Sequence, residues 1–302
     1  MPVVRAHSAS SANAPGQAGL TEIKVGLVGK GIQKSRTPAM HEAEGAALGL
    51  SYSYRLFDTS VMPAGEADLA HILNLAEREG YAGLNVTYPY KVEVMSFLDE
   101  VSEAVASVGA VNTVVFRNGR RSGHNTDLWG FAESFERNMA DVRKETVLLI
   151  GAGGAGGAVA HALAQCGVGR IEIADIDTEK AEALAKGVCG RHGAGAAASA
   201  SIETAAPGAD GVVNATPVGM ASLPGCPLPE DLFRQDLWVA DIVYFPLETE
   251  LLRQARLRGC RTLEGAGMAV FQAVRAFEHF TGLRPDISRM EATFRSFDRP
   301  DG

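Results

Sequence analysis

The chain has 302 residues, a length that at roughly 150 residues per domain predicts two domains, each with its own core. Hydrophobic residues make up 46% and charged residues 21% of the chain, a composition typical of globular proteins and unlike that of disordered or membrane proteins. The net charge is −8, from 28 Lys and Arg against 36 Asp and Glu, so we expect neither nucleic acid nor a membrane as a partner.

The chain begins with residues 1–20, which are rich in Ala, Ser, Gly and Pro and lack the continuous apolar segment of a signal peptide. We expect a disordered tail there. The four cysteines are widely separated, and none stands in a paired spacing that binds metal: Cys166, Cys189, Cys226 and Cys260. This usage predicts reduced thiols, a cytoplasmic protein and no metal site.

In the first half, short β-rich runs alternate with helical runs, a pattern that predicts parallel strands covered by helices. The strands are predicted at 23–29, 52–57 and 84–86, and the helices from Pro38, over about 64–79 and after Pro89. The run 110–116, the Asn118-Gly119 turn and the residues up to Gly123 then predict a hairpin on the same sheet. A helix over 126–140 follows, and we place the domain boundary near residue 140.

The second half restarts the alternation of strands and helices, which is typical of a doubly wound sheet. Strands are predicted at 147–151, 171–175, 211–216 and 238–244, with helices after the first two of them. The low-complexity run 193–201 is expected to be a surface connection. A long helix from Gly265 and a second at 286–297 are expected to fold back onto the first half.

A glycine-rich turn follows the strand at 147–151 and opens an apolar helix. Its residues Gly151, Ala152, Gly153, Gly154, Ala155 and Gly156 fit the pattern G-x-G-x-x-G. Gly151 permits a tight turn, Gly153 allows the backbone to approach a pyrophosphate, and Gly156 allows close helix packing. The turn therefore predicts a dinucleotide site, and a glycine-rich packing turn is the alternative.

Asp175 ends the next predicted strand, 19 residues after Gly156, where an acidic side chain accepts hydrogen bonds from ribose hydroxyls. A 2′-phosphate on that ribose would meet the negative charges of Asp175, Asp177 and Glu179, so this position favours NAD over NADP. Lys180 is a nearby cation that weakens the repulsion. For Asp177 itself we prefer a helix-capping role.

The segment Ser35-Arg36-Thr37-Pro38 precedes a predicted helix, with Thr37 suited to the N-cap and Pro38 to the first turn. Two hydroxyls at a helix N-terminus can hold a carboxylate. A plain capping turn is the alternative.

Two further polar segments lie at the ends of predicted strands, where open α/β sheets bind ligands. The segment 85–91 has the sequence NVTYPYK, and the segment 123–127, GHNTD, ends in a carboxylate. Asn112 is a polar residue in a predicted strand with apolar neighbours. Polar groups gathered in this way suit a hydroxylated ligand, and a structural ion pair is the alternative for Lys91 and Asp127.

Taken in order, these segments resemble the shikimate dehydrogenase family over nearly all of residues 23–297. The segments are SRTPAMHEAEG, LNVTYPYK, GAVNTVV, GHNTDLWGF, GAGGAGGAVA, NATPVGM, DIVYFPLETELL and GMAVFQAVRAF. The similarity is greatest to bacterial quinate/shikimate dehydrogenases that use NAD. SRTP stands where strict shikimate enzymes usually carry Ser-x-Ser-Pro, and IADID stands where NADP enzymes usually carry an Asn-Arg-Thr clamp.

The resemblance implies an α/β fold with an N-terminal α/β substrate-binding domain at 21–140 and a doubly wound Rossmann domain that binds NAD at 141–264. C-terminal helices at 265–302 would return to the first domain, and the chain would act as a monomer or homodimer. The implied reaction is oxidation of the carbon-3 hydroxyl of quinate or shikimate to 3-dehydroquinate or 3-dehydroshikimate, with hydride passing to the nicotinamide.

The resemblance also implies roles for individual residues. Lys91 and Asp127 match the catalytic pair, and Lys91 is the favoured proton acceptor. The substrate would be bound at its carboxylate by Ser35 and Thr37, at its ring hydroxyls by Asn85, Thr87, Asn112, Asp127 and Gln272, and on its far side by Tyr244. The cofactor would be bound by the glycine turn and Asp175 together with Lys180, Asn214, Ala215, Thr216, Val243, Gly265 and Met268.

Three alternatives stay open at this point. The first is an NADP-dependent biosynthetic shikimate dehydrogenase, which the acids at 175–179 argue against. The second is a related dehydrogenase for an aminated analogue such as aminoshikimate, which Thr37 and the intact Asn and Asp set disfavour. The third is a non-catalytic sensor of quinate or dinucleotide, which would be expected to lose Lys91 or Asp127, and both are present.

Overall fold

The computed structural model describes residues 22–193, 195–199 and 201–298, so the tail predicted at 1–20 lies outside the described residues. The chain forms two six-stranded sheets, one from residues 22–124 and the other from residues 146–263. Helices cover both sheets, which confirms the α/β fold class.

The first sheet has the strand order β2-β1-β3-β5-β6-β4. Its strands are β1 (Glu22–Gly29), β2 (Ser51–Asp58), β3 (Gly83–Val86), β4 (Glu100–Val101), β5 (Thr113–Arg117) and β6 (Arg120–His124). β5 is antiparallel to β3 and β6, and the other pairs are parallel. The predicted hairpin is therefore present, and Asn118 and Gly119 both have positive φ, as a two-residue hairpin turn requires.

In its described residues, the first half has four α-helices: α1 (Thr37–Ala47), α2 (Leu69–Arg78), α3 (Glu103–Val108) and α4 (Thr126–Met139). In α2, Leu69, Ile72, Leu73 and Ala76 are buried at the spacing of one helix face, which packs on the first sheet. The helix starts later than predicted because the Asp68 side chain caps it by accepting a 2.8 Å hydrogen bond from the amide of His71.

The second sheet has the order β12-β11-β10-β7-β8-β9, and each neighbouring pair is parallel. Its strands are β7 (Thr146–Ile150), β8 (Arg170–Ala174), β9 (Gly195–Ala198), β10 (Gly211–Asn214), β11 (Trp238–Asp241) and β12 (Arg261–Leu263). The helices α5 (Gly154–Gln165), α6 (Thr178–His192), α7 (Ile202–Ala205) and α8 (Glu250–Leu257) connect them. This is the doubly wound arrangement that the alternation predicted.

Two C-terminal helices, α9 (Ala266–Thr281) and α10 (Ile287–Ser296), return to the first half, as expected. Phe280 of α9 belongs to the same buried cluster as Val25 and Val115 of the first sheet. Met290 of α10 packs with Met40 of α1. The chain thus crosses between its halves twice, through α4 and again through α9.

The prediction of a helix after Pro89 is wrong. The chain there forms a turn followed by a short 3₁₀ helix, Glu93–Phe97. The carbonyl of Lys91 accepts a 2.8 Å hydrogen bond from the amide of Val111, which ties this turn to the residue before Asn112.

The run 193–201 is more than a surface connection, because β9 lies within it and pairs in parallel with β8 at the sheet edge. Strand pairing uses backbone groups, so a run of Gly and Ala can form an edge strand without apolar alternation. In the described part of the chain, no helix is both long enough and apolar enough to cross a membrane.

Candidate active site

The polar segments of the first half gather at one edge of the first sheet. Strands β1, β3 and β6 run in one direction, so their carboxyl ends share an edge, and Ser35, Thr87, Lys91 and Asp127 follow these strands. Asn112 comes just before β5, which runs the opposite way, so it lies at this same edge. The topology thus brings together residues that are far apart in sequence, at the edge where α/β sheets bind ligands.

Lys91 and Asp127 form an ion pair at this edge, with Lys91 Nζ 2.6 Å from Asp127 Oδ2. Lys91 lies in the loop after β3, and Asp127 lies in the first turn of α4, where a carboxylate is favoured by the helix dipole. The two side chains are 22% and 11% exposed, so the pair is mostly desolvated but still open to a ligand. An ammonium and a carboxylate so placed can donate to and accept from one alcohol.

Asn85 and Asn112 tie β3, β5 and α4 together. The Asn85 amide nitrogen donates to the carbonyl of Asn112 at 3.3 Å and to Thr113 Oγ1 at 3.0 Å. Asn112 Oδ1 accepts from the amide of Thr126 at 2.8 Å, and its Nδ2 donates to Thr126 Oγ1 at 2.9 Å. Because Thr126 precedes Asp127, this contact fixes the start of α4 and therefore the position of the Asp127 carboxylate.

The segment Ser35–Thr37, here the SRT segment, connects β1 to α1. α1 begins at Thr37 with Arg36 as its N-cap residue, so the prediction of Thr37 as the N-cap is wrong. The Thr37 amide instead lies 3.4 Å from Ser35 Oγ and donates to it. The hydroxyls of Ser35 and Thr37 remain half-buried beside a helix N-terminus, an arrangement that can hold an anion.

Asp58, at the end of β2, holds the chain just before the SRT segment. Its buried carboxylate accepts from the amides of Gly31 at 2.8 Å and Ile32 at 3.0 Å, and from the Gln33 side chain at 3.1 Å. Ser60 also donates to it, through its amide and its hydroxyl. Burial alone would raise the pKa of Asp58, but these hydrogen bonds outweigh it and hold the pKa well below its usual value.

Gln272 lies on α9 where this helix touches α4. A Cβ atom added to Gly130 would lie 2.8 Å from the backbone nitrogen of Gln272, so the missing side chain lets the two helices approach closely. Gly130 stands three residues after Asp127 and therefore on the same face of α4. Gln272 and Asp127 are thus brought to the same end of the helix pair.

Tyr244 belongs to the second half, and charged groups of the first half affect its hydroxyl. The residue is 40% exposed, with its ring against that of Phe294. The pKa of its hydroxyl is raised, first by desolvation and then by the negative charge of Asp127, while Arg36 lowers it. Arg36 lies over the same Phe294 ring, so Phe294 links Tyr244 to the SRT segment.

The glycine turn after β7 has the geometry of a dinucleotide cradle. Gly151 has a φ of +106°, and a Cβ atom there would lie 2.9 Å from the backbone of Ala215. A Cβ atom on Gly156 would lie 2.1 Å from the Gly151 carbonyl oxygen, whereas one on Gly153 would meet nothing within 4 Å. Gly153 is the N-cap residue of α5, and Gly154 and Ala155 are its first residues, so their amides lie at a helix N-terminus without intrahelical partners.

Asp175 follows β8 and lies against the glycine turn. Its two oxygens accept from the amide of Ala152 at 2.6 Å and from that of Asp177 at 2.8 Å, and each keeps a free lone pair. It lines a cavity of about 590 Å³ together with Gly153 and Lys180. Asp177 caps α6, as expected, and Lys180 pairs with Asp177 at 2.9 Å.

Asn214 holds the loop 215–218 through hydrogen bonds of its side chain. Its side chain is buried, with Nδ2 donating to Asp241 Oδ1 at 2.9 Å and to the carbonyl of Val218 at 2.9 Å. Its oxygen accepts from the amide of Thr216 at 3.0 Å and from the hydroxyl at 2.7 Å. Asn214 therefore shapes the loop that carries Ala215 and Thr216 and does not present its own amide to solvent.

The end of β11 and the start of α9 lie next to each other, beside the loop that Asn214 holds. Buried Asp241 accepts from Asn214 and from Thr249 Oγ1 at 2.7 Å, and burial raises the pKa of Asp241 to about 6. Val243 and Met268 are buried, and a Cβ atom on Gly265 would lie 2.5 Å from the carbonyl oxygen of Ile242. Gly265 thus lets α9 begin directly against the segment that carries Val243.

The two halves meet beside the site. A Cβ atom on Gly154 would lie 3.8 Å from Ala110, and one on Gly157 would lie 3.4 Å from Val108. The segment 108–110 leads directly to Asn112, so the glycine turn and the edge of the first sheet are neighbours. Lys34 lies 5.7 Å from the ring centre of Phe245, a second contact between the halves.

Sequence reasoning missed two residues that hold the site residues in place, Asp58 and Asp241. The residue types carry little signal, since an Asp at the end of a strand is common in surface turns. Among the described residues, no group of three or more His, Cys, Asp or Glu could hold a metal ion.

Comparison with known proteins agrees with this geometry. Residues 27–114 match the shikimate dehydrogenase substrate binding domain, residues 265–293 match the shikimate 5'-dehydrogenase C-terminal domain, and residues 125–193 match the ThiF family. A shikimate dehydrogenase (NADP(+)) of Streptomyces avermitilis is 51% identical over 89% of this chain and 93% of its own length. The chain belongs to the shikimate dehydrogenase family.

Other members of this family carry the NAD designation. A quinate/shikimate dehydrogenase (NAD(+)) of Corynebacterium efficiens is 49% identical over 91% of this chain and 98% of its own. The structure of quinate dehydrogenase from Corynebacterium glutamicum in complex with NAD superposes with a TM-score of 0.86 at 47% identity. That comparison covers 91% of this chain and 99% of the other.

Proposed function

We propose that this protein is an NAD-dependent quinate/shikimate dehydrogenase. It oxidises the carbon-3 hydroxyl of quinate, shikimate or both, giving 3-dehydroquinate or 3-dehydroshikimate. The observation that carries the proposal is the Lys91–Asp127 pair, 2.6 Å apart and mostly desolvated, at a sheet edge that adjoins a dinucleotide cradle. The Corynebacterium relatives, named as NAD-dependent quinate/shikimate dehydrogenases, support the same activity.

The substrate-binding residues follow from the same edge. Ser35 and Thr37 hold the substrate carboxylate at the N-terminus of α1. The ring hydroxyls face the remaining polar side chains of this edge, which are Asn85, Thr87, Asn112, Asp127 and Gln272. Tyr244 closes the site from the second half. The negative charge of Asp127 raises the pKa of the Tyr244 hydroxyl, which supports this place. A site that pairs several hydroxyls discriminates strongly against acids that lack one of them.

Lys91 and Asp127 act on the hydroxyl that becomes a carbonyl. NAD, when bound at the glycine turn, would supply the acceptor for the hydride that leaves carbon 3. As the carbonyl forms, the hydroxyl proton moves to Lys91 Nζ. The side chain of Lys91 must therefore be neutral when this transfer begins. Asp127 orients Lys91 and accepts a hydrogen bond from the substrate.

The dinucleotide site favours NAD over NADP. The glycine turn, with Gly153 facing open space, fits a pyrophosphate, and the free lone pairs of Asp175 fit the ribose hydroxyls. A ribose 2′-phosphate would be repelled by Asp175, and the nearest cation, Lys180, is already paired with Asp177. Ile176, next in the chain, is fully exposed and offers an apolar surface to the adenine.

The other residues on the cofactor side line the dinucleotide site in this proposal. Ala215 and Thr216 lie against the glycine turn on the loop that Asn214 holds. Val243, Gly265 and Met268 form the wall beside the nicotinamide.

The proposal is tested by initial rates of NADH or NADPH formation, with quinate and shikimate each tried with NAD and NADP. Turnover of either acid with NAD, at a kcat/KM well above that with NADP, is the expected result. A preference for NADP with shikimate would instead make the protein a biosynthetic shikimate dehydrogenase, as the name of the Streptomyces relative would suggest. No turnover with any pair, together with retained dinucleotide binding, would indicate a sensor.

Location and assembly remain part of the proposal. The four cysteines all carry free thiols, and burial raises the pKa of Cys166 to about 12, so this thiol is unreactive. Such thiols suit a cytoplasmic enzyme. A monomer or homodimer is expected, and light scattering of the purified protein distinguishes the two.

A further inference from the structure

Arg36, in the middle of the SRT segment, is held by the end of α10. Its guanidinium is 5% exposed and donates to both carboxylate oxygens of Asp298, at 2.5 Å and 2.6 Å, and to the carbonyl of Phe294 at 3.1 Å. It also lies over the ring of Phe294, 4.8 Å from the centre, and over that of Phe297 at 5.6 Å. The bidentate pair, together with the two rings beneath the guanidinium, fixes this group in place.

This contact acts on the two residues that flank Arg36. Arg36 is the N-cap residue of α1, and it makes no side-chain cap hydrogen bond to the helix. Asp58 holds the chain at Gly31 and Ile32, several residues before Ser35. The anchoring of Arg36 at α10 is therefore the contact that fixes the SRT segment at the side where α1 begins.

The same end of α10 also contacts the opposite wall of the site. The Phe294 ring packs edge-on against Tyr244, with 5.9 Å between ring centres. Phe294 thus touches both the Arg36 guanidinium and the tyrosine that closes the substrate site. Residues 294–298 form a single support beneath two parts of the substrate pocket.

We propose that Asp298 is a positioning residue for the substrate carboxylate, acting through Arg36 to hold the hydroxyls of Ser35 and Thr37 in place. This inference rests on the proposed function, because it assigns these hydroxyls to the carboxylate of the acid. Asp298 also neutralises Arg36, so the hydroxyls and the helix N-terminus bind the acid while the guanidinium serves as a fixed support.

The test compares the variants Asp298→Asn and Asp298→Glu with the control Glu291→Gln. Glu291 lies on α10, seven residues before Asp298, and pairs with Arg295 at 3.1 Å, so the control removes a carboxylate of the same C-terminal segment but leaves the partners of Arg36 in place. We expect Asp298→Asn to raise the KM for the acid about 10- to 100-fold, the scale of a misplaced binding group, with kcat and the KM for NAD nearly unchanged. Asp298→Glu should restore part of the affinity.

A neutral substrate analogue separates positioning from general destabilisation. The methyl ester of shikimate lacks the carboxylate charge, so wild-type enzyme should prefer the acid over the ester, and Asp298→Asn should reduce this preference. An unchanged KM for the acid would overturn the inference. So would a lower KM, because it would mean that the released Arg36 binds the carboxylate itself.

Hydrogen exchange provides a readout that does not require turnover. Backbone amides of peptides covering residues 33–40 should exchange faster in Asp298→Asn than in wild type, while peptides of α9 remain unchanged. Failure of wild-type enzyme to oxidise either acid would reject the proposed function. The exchange measurement would still show whether Asp298 holds residues 33–40 in place. Active wild type with unchanged KM and unchanged exchange in Asp298→Asn would reject the inference alone.

Discussion

The hydroxyl of Tyr54 on β2 reaches across β1 and donates a 2.8 Å hydrogen bond to the side-chain oxygen of Asn85 on β3. This contact spans three strands and is buried at both ends. It turns the amide nitrogen of Asn85 toward Asn112 and Thr113. The orientation of the Asn85 amide, which we propose faces the substrate, is thus set by a tyrosine two strands away.

Removing that hydroxyl should impair the substrate site more than the fold. In Tyr54→Phe the Asn85 oxygen loses its buried donor, and we expect kcat/KM for the acid to fall about 10-fold, the cost of an unsatisfied buried group. Tyr52→Phe is the matched control, because the Tyr52 hydroxyl bonds to His41 at 2.9 Å, away from the site. Equal losses in the two variants would contradict this role for Tyr54.

Replacement of either member of the Lys91–Asp127 pair should act on the chemical step. We expect Lys91→Met and Asp127→Asn to lower kcat by about 10²- to 10⁴-fold, the range for a lost acid–base group. Glu133→Gln, which removes a surface partner of Arg137 on α4, should retain wild-type rates. Single-turnover hydride transfer measured across pH checks the role of Lys91. A rate that does not rise with pH, with only KM raised in Lys91→Ala, would rule it out as the base.

A methyl group at Gly153 should block the dinucleotide without disturbing the fold. Its φ of −73° suits alanine and the added carbon meets open space, so we expect Gly153→Ala to keep its thermal stability and to weaken NAD binding about 10-fold. Gly187→Ala on α6 also meets open space, and it should stabilise the protein by about 0.5 to 1 kcal/mol with unchanged NAD affinity. Calorimetric titration and thermal unfolding measure both. Full NAD affinity in Gly153→Ala would mean that the pyrophosphate lies elsewhere.

Cofactor choice should depend on the carboxylate of Asp175. We expect Asp175→Asn to lower kcat/KM with NAD about 10-fold, because hydrogen bonds to a charged acceptor are lost. The ratio of kcat/KM with NAD to kcat/KM with NADP should therefore become smaller. Glu172→Gln on β8, the strand that ends just before Asp175, removes the partner of Arg170 and serves as the control. Steady-state kinetics with both cofactors give the answer, and an unaltered cofactor ratio would place the ribose away from this strand.

Stability should fall as the pH is lowered from neutrality, because several histidines are buried in the neutral form. Burial lowers the pKa of His41 from 6.5 to about 3, and desolvation also lowers the pKa of His161 and His279 to about 4. Below pH 6.5 the unfolded chain binds protons that the native state does not, at a cost of about 1.4 kcal/mol per pH unit for each such group. Asp241, with a pKa of about 6, acts in the opposite direction, because its native form takes up a proton that stabilises it as the pH falls.

Denaturant unfolding at a series of pH values between about 6 and 4 tests the largest of these contributions. His41→Leu should reduce the pH slope of the free energy of unfolding by about 1.4 kcal/mol per unit, whatever its effect on absolute stability. His71→Gln replaces an exposed histidine and should leave the slope as it is. An unchanged slope in His41→Leu would show that His41 is charged in the folded protein.

The strands and long helices could be predicted from the sequence because burial imposes a strong periodicity on them. The helix α9, with its apolar positions facing α4 and the first sheet, is an example. The strand β9 could not, because its Gly and Ala residues pair through the backbone alone. Likewise α8 and β12 were not predicted, since they are short and their apolar residues do not form a long pattern.

The site shows the same division between local and long-range information. The glycine turn and the Lys91 and Asp127 segments are local patterns with a known chemical meaning, so the sequence could indicate them. Partners separated by long stretches of chain could not be predicted, such as Arg36 with Asp298 or Asn214 with Asp241. The first pairing depends on the return of α10 to α1 and the second on the register of β10 against β11, and no local pattern encodes either of them.

The return of α10 to α1 has a consequence for how the chain is made. Met40 packs against Met290 and Phe294, so one face of α1 stays uncovered while the ribosome is still translating the second sheet. The half that is synthesised first is therefore completed last, after the nascent chain has emerged through Asp298. We expect ribosome-bound chains that stop near residue 264 to expose this face and to recruit chaperones.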